Sequence, residues 1–195
     1  EKMLLVCTGV FKPIALTILF GCPVKVLAFD AKPDGNFANE LGCRYTEIDE
    51  LLARADVLSL HMPLLPTTKH LIDEVAVGKM KEGVLLINVS RGAIVKTEAI
   101  IEGLLSGKIR GAGLDVYEHE RHVFFKNFSD MDFVEHASGV DHDLMLLQSM
   151  PNVILTPHMA FLTEEALATI CVQTVDNISD FLAQRALRNE LHANM

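Results

Sequence analysis

Residues 84–92, VLLINVSRG, constrain the fold more than any other stretch: five apolar residues, broken only by Asn88, stop abruptly and deliver a lone arginine. A run of this length and composition reads as a strand buried on both faces, as in a parallel sheet. Ser90 and Gly92 then turn the chain, so Arg91 stands just beyond the carboxyl end of a central strand, where open α/β sheets place their ligands. The planar fork of its guanidinium suits a carboxylate or the carbonyl beside one. A surface arginine closing a turn is the plainer alternative.

The remainder of the chain repeats the same grammar. Strand-length apolar runs at 3–7, 24–29, 56–60, 84–89, 111–116 and 153–155, with a weak one at 44–45, alternate with helical stretches. The helices are expected at 13–20, through Leu41, and at 47–54, 73–80, 97–106 and 163–182. Strands that alternate with helices at this spacing require right-handed crossovers, which give a doubly wound parallel sheet. Residues 117–152 break the rhythm with a charged and aromatic segment too long for an ordinary loop. The reading is one doubly wound domain over 1–183 followed by a polar tail at 184–195.

Composition narrows the partners. With 195 residues, half of them hydrophobic, the chain can build one sizeable core. A net charge of −9 without any Lys/Arg cluster argues against nucleic acid and against an anionic membrane surface, and favours small-molecule chemistry. The four cysteines show no paired spacing, which fits a reducing, cytoplasmic setting rather than a disulfide framework. No metal site is expected: HERH at 119–122 and DHD at 141–143 lack H-E-x-x-H spacing and read as solvated loop residues.

Chemistry gathers at strand ends. Besides Arg91, these carry Asp115 and Glu120 around the sixth strand and His158 in the loop TPHMAF after the last. Reducing a ketone needs a proton donor beside a hydride donor, and imidazole is the natural group. A carboxylate on its other ring nitrogen would fix the tautomer and stabilise the imidazolium, as in hydrolytic triads. An arginine opposite would hold a substrate carboxylate and polarise its keto oxygen. Each residue alone has a dull alternative as a turn or loop side chain; the three share one sheet edge.

LAFD, SLHMPLLPTTKHLI, INVSRGA, GLDVYEHE and TPHMAFLTEEA, in this order, resemble successive signatures of the NAD-dependent D-2-hydroxyacid dehydrogenases, and within them of the D-lactate type. The resemblance implies a Rossmann-like fold, NAD as cofactor, a small 2-oxo or 2-hydroxy acid as substrate, and a homodimer. It makes Arg91 the substrate-binding arginine, His158 the acid/base and Glu120 its partner, with Glu118 the rival carboxylate. It also implies cofactor contacts from Gly9, Val10, Phe11, Met62, Pro63, Thr68, Val89, Ser90 and Asp115. Asp30 is expected on the adenosine ribose, where an acid favours NAD over NADP.

Two departures accompany the likeness. The family's G-x-G-x-x-G falls on residues 7–12, CTGVFK, so that only Gly9 survives, while Cys7 and Lys12 replace the outer glycines. Three readings stand: Lys12 meets the phosphate by charge, cofactor binding is weak or lost, or the sequence keeps only the fold. The second departure is that no counterpart of the family's N-terminal substrate domain precedes the first strand. Together they leave a different class of function open, a non-catalytic dimerisation or nucleotide-sensing module.

Overall fold

The apolar runs form seven parallel strands: β1 (Met3–Cys7), β2 (Lys25–Phe29), β3 (Arg44–Tyr45), β4 (Val57–Leu60), β5 (Val84–Asn88), β6 (Ile109–Leu114) and β7 (Val153–Leu155). In this computed structural model the described residues are 3–7, 25–120, 141–187 and 189–190. The helix expected at 13–20 and the turn bearing Gly9, Val10, Phe11 and Lys12 lie outside them. The strands pair in the order β3-β2-β1-β4-β5-β6-β7. The chain builds outward from β1 on one side, then returns to its other side with β4. This reversal between β1 and β4 is a topological switch point, where a doubly wound sheet opens a crevice beyond its carboxyl ends.

Register decides what lines that crevice. Cys7 pairs with Phe29 and with Leu60, Leu60 with Asn88, Asn88 with Leu114, and Leu114 with Leu155. The last residues of six strands therefore form one row. The residues that follow five of them, Asp30, His61, Val89, Asp115 and Thr156, continue along the same edge.

The helices are α1 (Gly35–Leu41), α2 (Ile48–Arg54), α3 (Glu74–Lys79), α4 (Thr97–Leu105), α5 (His142–Ser149) and α6 (Glu164–Leu182), with a 3-10 turn at Gly92–Ile94. Side chains alternate across a strand, and Val84 and Leu86 of β5 are buried in one cluster with Leu51, Leu52, Ala76, Val77, Ile100, Leu104 and Leu147 of α2 to α5. Leu85 and Ile87, on the opposite face, are only half-buried. The strand expected to be buried on both faces is thus buried on one and half-buried on the other.

Two boundaries also differ from expectation. β6 starts at Ile109, which is fully buried, and ends at Leu114. The irregular segment expected at 117–152 contains α5, whose start is capped by Asp141 Oδ1 accepting from Leu144 N at 2.9 Å. Only Leu144 and Leu147 of its eight residues are buried, so it has too narrow an apolar stripe to advertise a helix.

The chain separates into two compact units, Glu1–His158 and Met159–Met195. The second is dominated by α6, capped by Thr163 Oγ1 accepting from Ala166 N at 3.2 Å. None of its residues is buried, and Leu167, Ile170 and Ile178 stand roughly half exposed. Among the described residues, no helix is long and apolar enough to cross a membrane.

Candidate active site

Asn88, the polar interruption in the organising run, ends β5 and is 1% exposed. Its amide oxygen accepts from Ser90 N at 3.1 Å and from Ser90 Oγ at 2.9 Å, and its amide nitrogen donates to Arg91 O at 3.0 Å. One buried side chain thus satisfies a turn whose backbone has left the sheet ladder. Arg91 emerges in an extended conformation ahead of the 3-10 turn, exposed, with Nη1 donating to Ser90 O at 2.6 Å. In the sequence Asn88 shows only as a polar interruption of an apolar strand, and that interruption is the signal of its task.

Asp115 follows β6 and is 4% exposed. Its N–H donates to Asn88 O at 2.9 Å, its carbonyl accepts from His158 N at 2.7 Å, and Oδ1 accepts from Thr156 Oγ1 at 2.6 Å. Asp115 therefore ties the ends of β5, β6 and β7 to His158. That histidine adopts φ +53°, a left-handed conformation unusual for a side chain of its size, held by hydrogen bonds from its N–H to Asp115 O and Thr156 O.

The turn at 117–120 brings the carboxylate. Tyr117 is buried, and its hydroxyl donates to both oxygens of Asp141 at 2.8 and 2.9 Å. Burial first, then this contact with Asp141, push the Tyr117 phenol well above its ordinary range, so it stays a donor. Glu120 Oε2 accepts from Tyr117 N at 3.2 Å, and Oε1 lies 3.0 Å from His158 Nδ1. A carboxylate can only accept there, so Nδ1 donates. The side chains of His158 and Glu120 are 26% and 16% exposed, shielded enough for the contact to matter. Glu118, the rival, points to other partners: Oε1 lies 2.6 Å from His70 Nε2, and Oε2 accepts from Thr97 N and Oγ1.

The other candidate residues spread along the same edge. Asp30 directly follows β2, half-buried, with Oδ1 accepting from Lys32 N at 2.8 Å. Met62 is buried after β4, and Pro63 is exposed with its carbonyl accepting from Thr68 Oγ1 at 2.7 Å. Thr68 also accepts from Leu65 N at 2.7 Å, so it closes its own loop. Val89 is 38% exposed, whereas Ser90 is buried on Asn88. This donor set suits a dinucleotide laid across the switch point: a carboxylate past β2 can accept from ribose hydroxyls, and the turns after β4 and β5 offer backbone to the other half. Among the described residues, no three His, Cys, Asp or Glu side chains gather to hold a metal ion.

His61, in the row between Leu60 and Met62, shares a 2.7 Å hydrogen bond through Nε2 with Ser59 Oγ. Burial pushes its imidazole below the ordinary value of 6.5. Below about pH 6.5 the unfolded chain takes up a proton that folded His61 refuses, so stability falls with pH until the folded value is passed. Urea denaturation at pH 7.5 and 5.5 should show a smaller loss in His61→Gln than in the wild type; equal losses would refute the assignment.

A family model described as "D-isomer specific 2-hydroxyacid dehydrogenase, NAD binding domain" matches residues 4–160. The 2-hydroxyacid dehydrogenase homolog 1 of Schizosaccharomyces pombe is 42% identical over 169 residues, 87% of this chain and 48% of that protein. Among solved structures, one from the identification of the pyruvate reductase of Chlamydomonas reinhardtii superposes with a TM-score of 0.90 at 44% identity, covering 97% of this chain and 56% of that one. D-lactate dehydrogenase with NAD+ from Lactobacillus jensenii gives 0.84 at 30% identity, covering 99% and 56%. The chain spans about half the length of the curated relatives it matches. A parallel sheet wound both ways from β1, a crevice edge carrying Asp30, and these likenesses agree: the chain belongs to the D-isomer-specific 2-hydroxyacid dehydrogenases, as their NAD-binding domain.

Proposed function

We propose that this domain serves an NAD-dependent oxidoreductase that interconverts a small 2-oxo acid and its D-2-hydroxy acid, with pyruvate and D-lactate the first pair to test. The observation that carries the reading is the 3.0 Å contact between His158 Nδ1 and Glu120 Oε1, beyond the ends of β6 and β7. Bound NADH would supply the hydride for the keto carbon. With Nδ1 committed to Glu120, His158 exchanges its catalytic proton with the keto oxygen through Nε2. Glu120 fixes that tautomer and offsets the charge of the imidazolium. Arg91, on the turn after β5, takes the substrate carboxylate in its fork. Asp30, Met62, Pro63, Thr68, Val89, Ser90 and Asp115, with Gly9, Val10 and Phe11 outside the described residues, line the cofactor's path in this reading.

Asp30 makes the cofactor choice testable on the chain as it stands. A 2′-phosphate would face its carboxylate and lose a ribose hydrogen bond, a difference on the order of 1–3 kcal/mol. NADH, followed by its fluorescence, should bind about ten- to a hundredfold more tightly than NADPH. Equal affinities would remove Asp30 from the ribose, and no binding of either would favour a non-catalytic dimerisation module.

The assembly and setting belong to the same proposal. The half-exposed Leu167, Ile170 and Ile178 of α6 support a homodimer, which sedimentation would detect. The free thiols of buried Cys43 and exposed Cys171 support a reducing cytoplasm.

A further inference from the structure

The turn that carries Glu120 is held by a second histidine and a second carboxylate. His70 Nε2 lies 2.6 Å from Glu118 Oε1, and Glu118 Oε2 accepts from Thr97 N and from Thr97 Oγ1 at 3.1 Å each. Thr97 is the first residue of α4, so a helix start adds its orphan N–H to the same carboxylate. The Glu118 side chain is 11% exposed. Burial alone would raise its carboxyl, but the bonds from His70 and Thr97 outweigh this and hold it below the ordinary range. A carboxylate so satisfied is costly to withdraw from its site.

Glu118 and Glu120 share one short turn, closed by Glu120 N donating to Tyr117 O and by Tyr117 N donating to Glu120 Oε2. Moving Glu118 by an ångström moves Glu120 with it. His70 is itself fixed from the other side. It adopts φ +53°, as His158 does, and its N–H donates to Ala93 O at 2.9 Å, within the 3-10 turn that follows Arg91.

We propose that His70, acting through Glu118, is a positioning residue for the Glu120–His158 pair. The proposal rests on the reading of that pair as the acid/base centre. Without His70, Glu118 Oε1 loses its donor in a nearly closed site, the carboxylate turns toward water, and the 117–120 turn keeps its contact with the Gly92 turn but loses this anchor. The pair then samples geometries in which Nδ1 and Oε1 are apart. A purely structural contact would cost stability without disturbing that hydrogen bond.

The test reads the hydrogen bond directly, by nitrogen-15 NMR of the His158 side chain in this chain. Exchange of its Nδ1 proton with water should be about tenfold faster in His70→Asn, the scale expected for losing one charge-assisted hydrogen bond. Asparagine tolerates the left-handed backbone but stops short of Glu118. His70→Gln, whose amide nitrogen reaches to where Nε2 lies, should restore the wild-type rate. Wild-type exchange in a folded His70→Asn overturns the inference, whether or not the variant melts earlier. Turnover plays no part in this measurement, so the inference and the dehydrogenase reading fail separately: the former on the exchange rate, the latter on the activity of His158→Gln.

Discussion

On the proposed function, His158→Gln is expected to lower reduction of pyruvate by NADH by about 10²- to 10⁴-fold, the range for removing a general acid, while NADH affinity should stay within a factor of about two. Glutamine keeps the bulk and polarity of the site, and its backbone fits: Gln184 holds the same φ of +53° elsewhere in this chain. What it loses is a group that can carry a proton at neutral pH. Asp30 and the turns after β4 and β5 stay in place, which is why binding survives. The measurement belongs in this domain joined to the remaining half that its longer relatives possess, with kcat and NADH affinity recorded side by side. Full turnover in the variant would end the assignment of His158 as the acid.

Much of this arrangement is legible in the sequence alone, and the reasons differ by element. β4 and β5 are short, largely apolar runs followed closely by Pro63 and Gly92, and such punctuation survives tertiary context. That Arg91, Asp115, Glu120 and His158 share one edge was legible because parallel strands joined by right-handed crossovers must put their ends on the same side of the sheet. α5 was not, because two buried leucines in eight residues leave a pattern indistinguishable from a polar loop. The half-burial of Leu85 and Ile87 was equally hidden, since composition reports that a face is apolar but not how completely its neighbours cover it.

The site divides in the same way. Arg91 and His158 declare themselves by position, each following a strand. Glu118 and Glu120 do not, because two carboxylates two residues apart in DVYEHE differ only in where the turn points them. That direction is set by groups far along the chain: His70 lies 48 residues from Glu118, and Asp141 lies 24 from Tyr117. Asn88 is the intermediate case, visible as an anomaly in the run while its partners Ser90 and Arg91 were invisible. The local pattern locates candidate residues at an edge, and long-range hydrogen bonds decide which of two neighbours faces His158.

Gly92→Ala is expected to be among the most damaging single substitutions in the domain, because the added methyl has nowhere to go. An ideal Cβ there would lie 2.1 Å from both the carbonyl carbon and oxygen of Tyr117, and 2.5 Å from Glu118 N. All three are backbone atoms, so no side-chain rotation relieves the overlap. Either the 3-10 turn behind Arg91 or the turn bearing Glu120 must shift, and the Asn88 and Asp141 hydrogen bonds oppose both. Overpacking a tight contact costs typically 1–3 kcal/mol, and the backbone character of this one puts it at about 3 kcal/mol or more. Gly78→Ala supplies the contrast. Gly78 lies exposed in α3 with nothing within 4 Å of its ideal Cβ, so alanine there should stabilise the fold by up to about 1 kcal/mol. Urea denaturation of the two variants beside the wild type gives both values. A Gly92→Ala protein as stable as Gly78→Ala would mean that the two turns do not touch in solution, leaving Arg91 joined to the Glu120–His158 pair only through the hydrogen bonds of Asn88, Asp115 and His70.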